Sequence, residues 1–131
     1  MEREAKLLEI ANAARGNAVA PYSGLSVGAA LEAENGEIVS GANIENATYG
    51  LTMCAERVAM LKALSDGHRA FSRILIASDA TGGIMPCGAC RQILWEFGGN
   101  LEVLIANRDR VVRRAQMAEL LPAPFDQRNL P

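Results

Sequence analysis

Aromatic side chains are scarce in this sequence: Phe, Trp and Tyr together make up 5% of its 131 residues. That scarcity argues against the interleaved stacking platforms on which single-strand nucleic-acid binders lay successive bases. Positive charge is not in excess either, because 13 Lys and Arg stand against 15 Asp and Glu, for a formal net charge of −2. Proteins that follow a phosphate backbone concentrate basic side chains to displace counterions, so a polynucleotide partner is not expected. No apolar run approaches the roughly 20 residues that a helix needs to cross a bilayer. The opening MEREAKLLEI is charged and amphipathic, without the apolar stretch and small-residue cleavage site of a secretory leader. These absences point to a cytoplasmic protein that handles a small molecule away from membranes.

Cysteine is also rare, and its arrangement is informative. The 3 cysteines cannot all pair within one chain, and Cys87 and Cys90 form a CxxC. A metal or redox site therefore comes before a disulfide framework. With half of its residues hydrophobic and 21% charged, the chain has ordinary globular composition. Its length allows one core and is short for two, so residues 1–131 are expected to form a single domain.

Hydrophobic periodicity predicts a first helix over residues 4–14, stopped at Gly16. Residues 27–33 and 37–42, separated by Glu34, Asn35 and Gly36, read as a β-hairpin. A second helix is predicted from about Thr52 to Ser65, turning Ala55, Val58, Ala59, Leu61 and Leu64 toward the core. A strand over 73–78, a helix over 87–98 ended by Gly98, and a strand over 101–106 follow. The tail from Ala118 reads as a short helix and then irregular chain. Helices alternating with strands after a hairpin imply an α/β fold with a mixed sheet between helices.

Cys54, Glu56 and Arg57 fall at the start of the second helix, and Cys87, Cys90 and Arg91 at the start of the third. Helix N-termini present free N–H groups and partial positive charge, which lower thiol pKa values and favour the thiolates a metal requires. Structural zinc is closed by four protein ligands, whereas catalytic zinc keeps three and leaves one position to water. Three cysteines on one Zn2+ per chain leave that position open, and water there loses its proton readily. Glu56 can carry the proton if the ion lies beyond the helix's N-terminal end, because two residues apart in mid-helix would point nearly opposite ways. Three thiolates on one divalent ion leave a charge of −1, so Arg57 and Arg91 are candidate donors to the sulfurs.

CAE followed by PCxxC resembles the cytidine deaminase family, and a related HxE and PCxxC signature is a general mark of zinc nucleobase deaminases. Cys in place of His is similar to the family's homotetrameric branch. The likeness runs from PYSGLSVGAAL through NIENATYGLTMCAER and PCGACRQ to LLPAPF. It implies a three-layer α/β/α sandwich around a mixed five-stranded sheet, a homotetramer, and hydrolysis of cytidine or deoxycytidine to the uracil nucleoside and ammonia in pyrimidine salvage. It also implies that Asn43 and Glu45 take the ribose hydroxyls and that the Ala55 N–H meets the base carbonyl. Tyr49 and Phe125 would line a pocket wall, on this chain or a neighbour. Leu25 stands where family members usually carry an aromatic, and Ala42 where they often carry Cys, so a different cytosine-like nucleoside or a nucleoside antibiotic remains an alternative substrate.

Three plainer readings compete. The CxxC could be a redox pair without metal. His68 could close a structural Cys3His zinc site in an interaction domain, although its polar SDGHRA turn suggests a solvated histidine. Asn43 and Glu45 could be turn residues, Arg57 and Arg91 surface ion-pair partners, and Trp95 and Phe97 core or interface side chains.

Overall fold

The computed structural model describes residues 2–131. Its elements in chain order are α1 (Glu2–Arg15), β1 (Gly28–Ala33), β2 (Ile38–Ala42), α2 (Ala55–Ser65), β3 (Phe71–Ala77), α3 (Gly88–Gly98), β4 (Glu102–Ala106), β5 (Val111–Gln116) and α4 (Met117–Leu120). Single 3-10 turns occupy Tyr49–Leu51 and Gln127–Asn129. The five strands form one sheet in the order β2-β1-β3-β4-β5. Among the strand pairs of the described residues, β3 and β4 run parallel, joined by the α3 crossover that parallel neighbours require, and the other pairs are antiparallel.

Alternate residues of the central strands enter two apolar layers, as the two-residue period of a pleated strand dictates. On one face Ala30, Leu75, Ala77, Leu104 and Ala106 pack against Leu7 and Ala11 of α1. On the other, Leu31, Ile74, Ile76, Val103 and Ile105 pack against Ala59, Met60 and Ala63 of α2 and Leu94 of α3. The result is the α/β/α sandwich that the family likeness implies.

The buried stripe of α2 differs from the predicted one. Ala55, Ala59, Met60 and Ala63 are buried, whereas Leu61 is 42% exposed. The reason is Gly41 in β2: a Cβ there would lie 2.5 Å from the Ala59 backbone nitrogen and 2.6 Å from the Ala55 oxygen. The helix backbone rests on the strand, so only small residues fit on the contact line. This close approach also fixes the height of the helix start, where Cys54 sits.

The hairpin is observed as predicted, with Gly36 at φ 92° in its turn and Asn35 Oδ1 accepting the Glu37 N–H at 3.0 Å. Strand β5 has no counterpart among the elements read from the residue pattern, although the family likeness gives the right number of strands. Its exposed Arg113 and Arg114 follow Val111 and Val112, an edge-strand pattern without clean alternation.

Candidate functional site

The registers Gly28↔Ala42, Gly28↔Ala77 and Ala77↔Ala106 align one end of the sheet, from which Asn43, Ser78 and Asn107 emerge. Helices α2 and α3 both begin at this end. Before α2 the chain is held extended by a bridge between Ile44 and Met53, and Cys54 follows as the N-cap, with φ −75° and ψ 154°. The helix therefore starts at Ala55 rather than at Thr52. This places Cys54 and Glu56 together at the helix end, the arrangement required if both are to serve one ion. Cys87 is likewise the N-cap of α3, with Cys90 in its first turn.

The three sulfurs lie within 4.8 Å of one another, and Cys87 Sγ is 3.4 Å from Cys90 Sγ. Tetrahedral zinc with Zn–S bonds of about 2.3 Å requires sulfur separations of about 3.8 Å, inside that range. The Cys54 thiol is lowered to about 5, chiefly by a hydrogen bond from the Cys90 thiol, with Arg57 assisting. Cys90 is pushed up by the same bond and by burial, so without a cation the pair keeps its proton on Cys90. A divalent ion would displace that proton. The donor set therefore suits zinc.

Glu56 is 5% exposed, and its carboxyl is raised to about 7, first by burial and further by the Cys54 charge. Arg57 Nη2 donates to the Thr52 carbonyl at 3.0 Å and to Cys54 Sγ at 3.6 Å. Arg91 behaves differently from the sulfur donor anticipated for it: Nε donates to the Pro86 carbonyl at 2.8 Å and Nη1 to the Leu120 carbonyl at 2.9 Å.

Asn43, buried, accepts the Val27 N–H at 2.9 Å and donates to the Leu25 carbonyl at 2.8 Å. This leaves one of its two N–H donors and one lone pair for a ligand. Glu45 Oε1 accepts the Tyr22 and Ser23 N–H groups, each at 3.0 Å, and Oε2 accepts the Ser23 hydroxyl. Tyr22, Ser23, Glu45, Tyr49 and Thr52 line a cavity of about 370 Å³. Tyr49 is 75% exposed and packs edge-on to Tyr22 with ring centroids 6.0 Å apart. Leu25 is 37% exposed, and Ala55 opens α2, where its N–H has no intrahelical acceptor. Phe125 does not line that cavity: its carbonyl accepts from Gln92 Nε2, which holds the tail against α3.

His68 follows the C-terminal end of α2, opposite Cys54, and pairs with Glu37 Oε2 at 3.1 Å. It is not the solvated histidine its turn suggested, since its side chain is 14% exposed, and it lies outside the sulfur cluster. Trp95 is half-buried with Nε1 on Asp126 Oδ2 at 3.0 Å, and Phe97 is exposed. The Ser23 clasp on Glu45 was missed in the sequence, although the PYSG turn supplied the signal. The Pro86 and Leu120 carbonyls carry no side-chain signal.

Three thiols and a buried acid at paired helix starts, on an α/β/α sandwich, define the class of zinc-binding hydrolytic deaminases. Comparison with known proteins narrows this further. The family model for the cytidine and deoxycytidylate deaminase zinc-binding region matches residues 1–106, and the chain belongs to that family. It is 44% identical to a cytidine deaminase of Sporosarcina psychrophila over 126 residues, 95% of this chain and 93% of the relative. A blasticidin-S deaminase of Bacillus cereus is 32% identical over 107 residues, 76% of each chain. The crystal structure of cytidine deaminase from Burkholderia pseudomallei superposes with a TM-score of 0.89 at 46% identity, covering 92% of this chain and 98% of that one.

Proposed function

We propose that this chain is a zinc-dependent hydrolase that removes the 4-amino group of cytidine or deoxycytidine, releasing ammonia and the uracil nucleoside. The observation that carries the reading is the gathering of three sulfurs within 4.8 Å at two helix starts with an acid buried beside them. Zinc, when bound, supplies the Lewis acidity that makes water nucleophilic near neutral pH. Cys54, Cys87 and Cys90, whose sulfurs lie within 4.8 Å of one another, would hold the ion. Glu56 takes a proton from the attacking water, passes it to the ring nitrogen and later helps protonate the departing amine. Arg57 offsets part of the thiolate charge.

By family likeness, Asn43 and Glu45 receive the sugar hydroxyls, the Ala55 N–H receives the base carbonyl, and Leu25, Tyr49 and Phe125 form walls. Tyr49 and Phe125 are 75% and 62% exposed on the single chain, which suits walls shared between subunits of a homotetramer. A single domain, a cytoplasmic setting and pyrimidine salvage complete the reading. The relative that deaminates blasticidin S, together with Leu25 in place of an aromatic, favours a second reading: a cytosine-bearing antibiotic as substrate. The higher identity to cytidine deaminases ranks it below the first.

Incubating the purified protein with cytidine, deoxycytidine and cytosine-bearing antibiotics, while recording ammonia release and bound metal, tests both. Turnover of cytidine or deoxycytidine by zinc-loaded protein is expected. Turnover of the antibiotics alone selects the second reading, and ammonia from none of them defeats both.

A further inference from the structure

We infer that Arg91 is a positioning residue that fixes Cys87 through the backbone rather than through its sulfur. The inference rests on the reading of the three cysteines as ligands of one ion. Among them Cys87 is the exposed one, while Cys90 is buried and Cys54 half-buried. Packing therefore does least to hold the side chain of Cys87.

Residue 91 holds it another way. Its Nε donates to the Pro86 carbonyl at 2.8 Å, and its backbone N–H donates to the Cys87 carbonyl at 2.9 Å. Those carbonyls belong to the two peptide units on either side of the Cys87 Cα. With both planes held, φ and ψ are held too, because each residue has only these two soft backbone torsions. The direction of the Cα–Cβ bond, and with it the reach of Sγ, follows. Buried Pro86 adds a locked φ of its own and has no N–H, so its carbonyl is the one polar backbone handle by which it can be grasped.

The second arm anchors this turn to a different part of the fold. Nη1 donates to the carbonyl of Leu120, which ends α4 and, as a last-turn carbonyl, has no partner within its helix. The Cys87 turn is thereby tied to the segment that follows β5. A planar guanidinium holds two acceptors at a fixed mutual angle; an ammonium on a flexible stem holds either one without fixing the angle between them.

Chelator competition for zinc and the visible absorption of the Co(II)-loaded protein test the inference in R91A and R91K. R91A is expected to bind zinc about 10- to 100-fold more weakly, the range found when groups that orient metal ligands are removed. Its cobalt bands, which report the geometry at the ion, should shift, and R91K should fall between R91A and wild type. W95F, which cuts the Trp95–Asp126 bond on the same helix, should match wild type in both readouts. If Arg91 serves overall stability alone, R91A will unfold earlier yet show wild-type zinc competition and cobalt bands, and the inference is overturned. Should R91A not fold, R91K carries the test, and wild-type behaviour there overturns it equally. A wild-type chain that takes up neither ion would remove the ligand reading itself, whereas variants indistinguishable from a metal-binding wild type would remove only the role of Arg91.

Discussion

At the start of α2, the arginine three residues after Cys54 reaches the sulfur; at the start of α3, the arginine four residues after Cys87 reaches two carbonyls instead. The chain entering each helix explains the difference. Met53 and Ile44 exchange backbone hydrogen bonds at 2.8 and 2.9 Å, so the approach to Cys54 is already satisfied and Arg57 has the Thr52 carbonyl and Sγ within reach. The approach to Cys87 is unpaired loop, whose last carbonyl needs a donor. One residue type thus meets a sulfur at one helix and two carbonyls at the other. Position N2 differs as well, being Glu56 in α2 and Ala89 in α3, so the buried acid belongs to one helix alone.

Breaking the comparison at that acid should have the largest effect. Glu56→Gln is expected to retain zinc and lose about 10²- to 10⁴-fold in turnover, the usual range for a general acid–base group, as steady-state kinetics and metal analysis would report. Near-normal turnover would take the proton-carrying role from it. Next comes the arginine on the sulfur: Arg57→Gln should lower activity or zinc affinity by about 10- to 100-fold, while the cobalt bands change less than in R91A. Equal spectral change in the two variants would erase the distinction between charge and geometry.

Gly41→Ala probes how the strand sets the height of α2. The added methyl meets backbone rather than a flexible side chain, so a loss of about 1–3 kcal/mol in denaturant unfolding is expected. An unchanged unfolding midpoint would show that the helix can retreat freely. The smallest effect belongs to His68→Ala. It removes a pair with Glu37, whose side chain is 66% exposed, worth at most about 1 kcal/mol, and should leave bound zinc unchanged. Zinc loss in that variant would restore the four-ligand alternative.

Much of this was legible in the residues because local chemistry carried it. The α1 and β1–β2 segments followed their own periodicity and turn residues, and the cysteines announced themselves by spacing and helix position. What stayed hidden depended on distant partners. The buried face of α2 was set by a glycine in another strand, which turned Met60 inward and left Leu61 outside. Strand β5 gave no alternation because it is an edge with arginines facing solvent. Its approach did carry a turn signal, since Asn107 Oδ1 accepts the Asp109 and Arg110 N–H groups at 2.8 and 2.9 Å. Arg57 and Arg91 looked equivalent in sequence because each follows a motif residue directly. Which one meets sulfur was decided by backbone carbonyls, which no side-chain pattern records. The clasp of the Tyr22–Ser23 turn on Glu45 differs, since the PYSG turn marks its donors and only the distant acceptor was hidden.

X-ray absorption at the zinc edge of the purified, active protein tests the central claim most directly. The account predicts one ion per chain with three sulfur neighbours at about 2.3 Å and one lighter atom completing the shell. Active protein without zinc, or a shell in which a fourth protein side chain fills the last position, would contradict it.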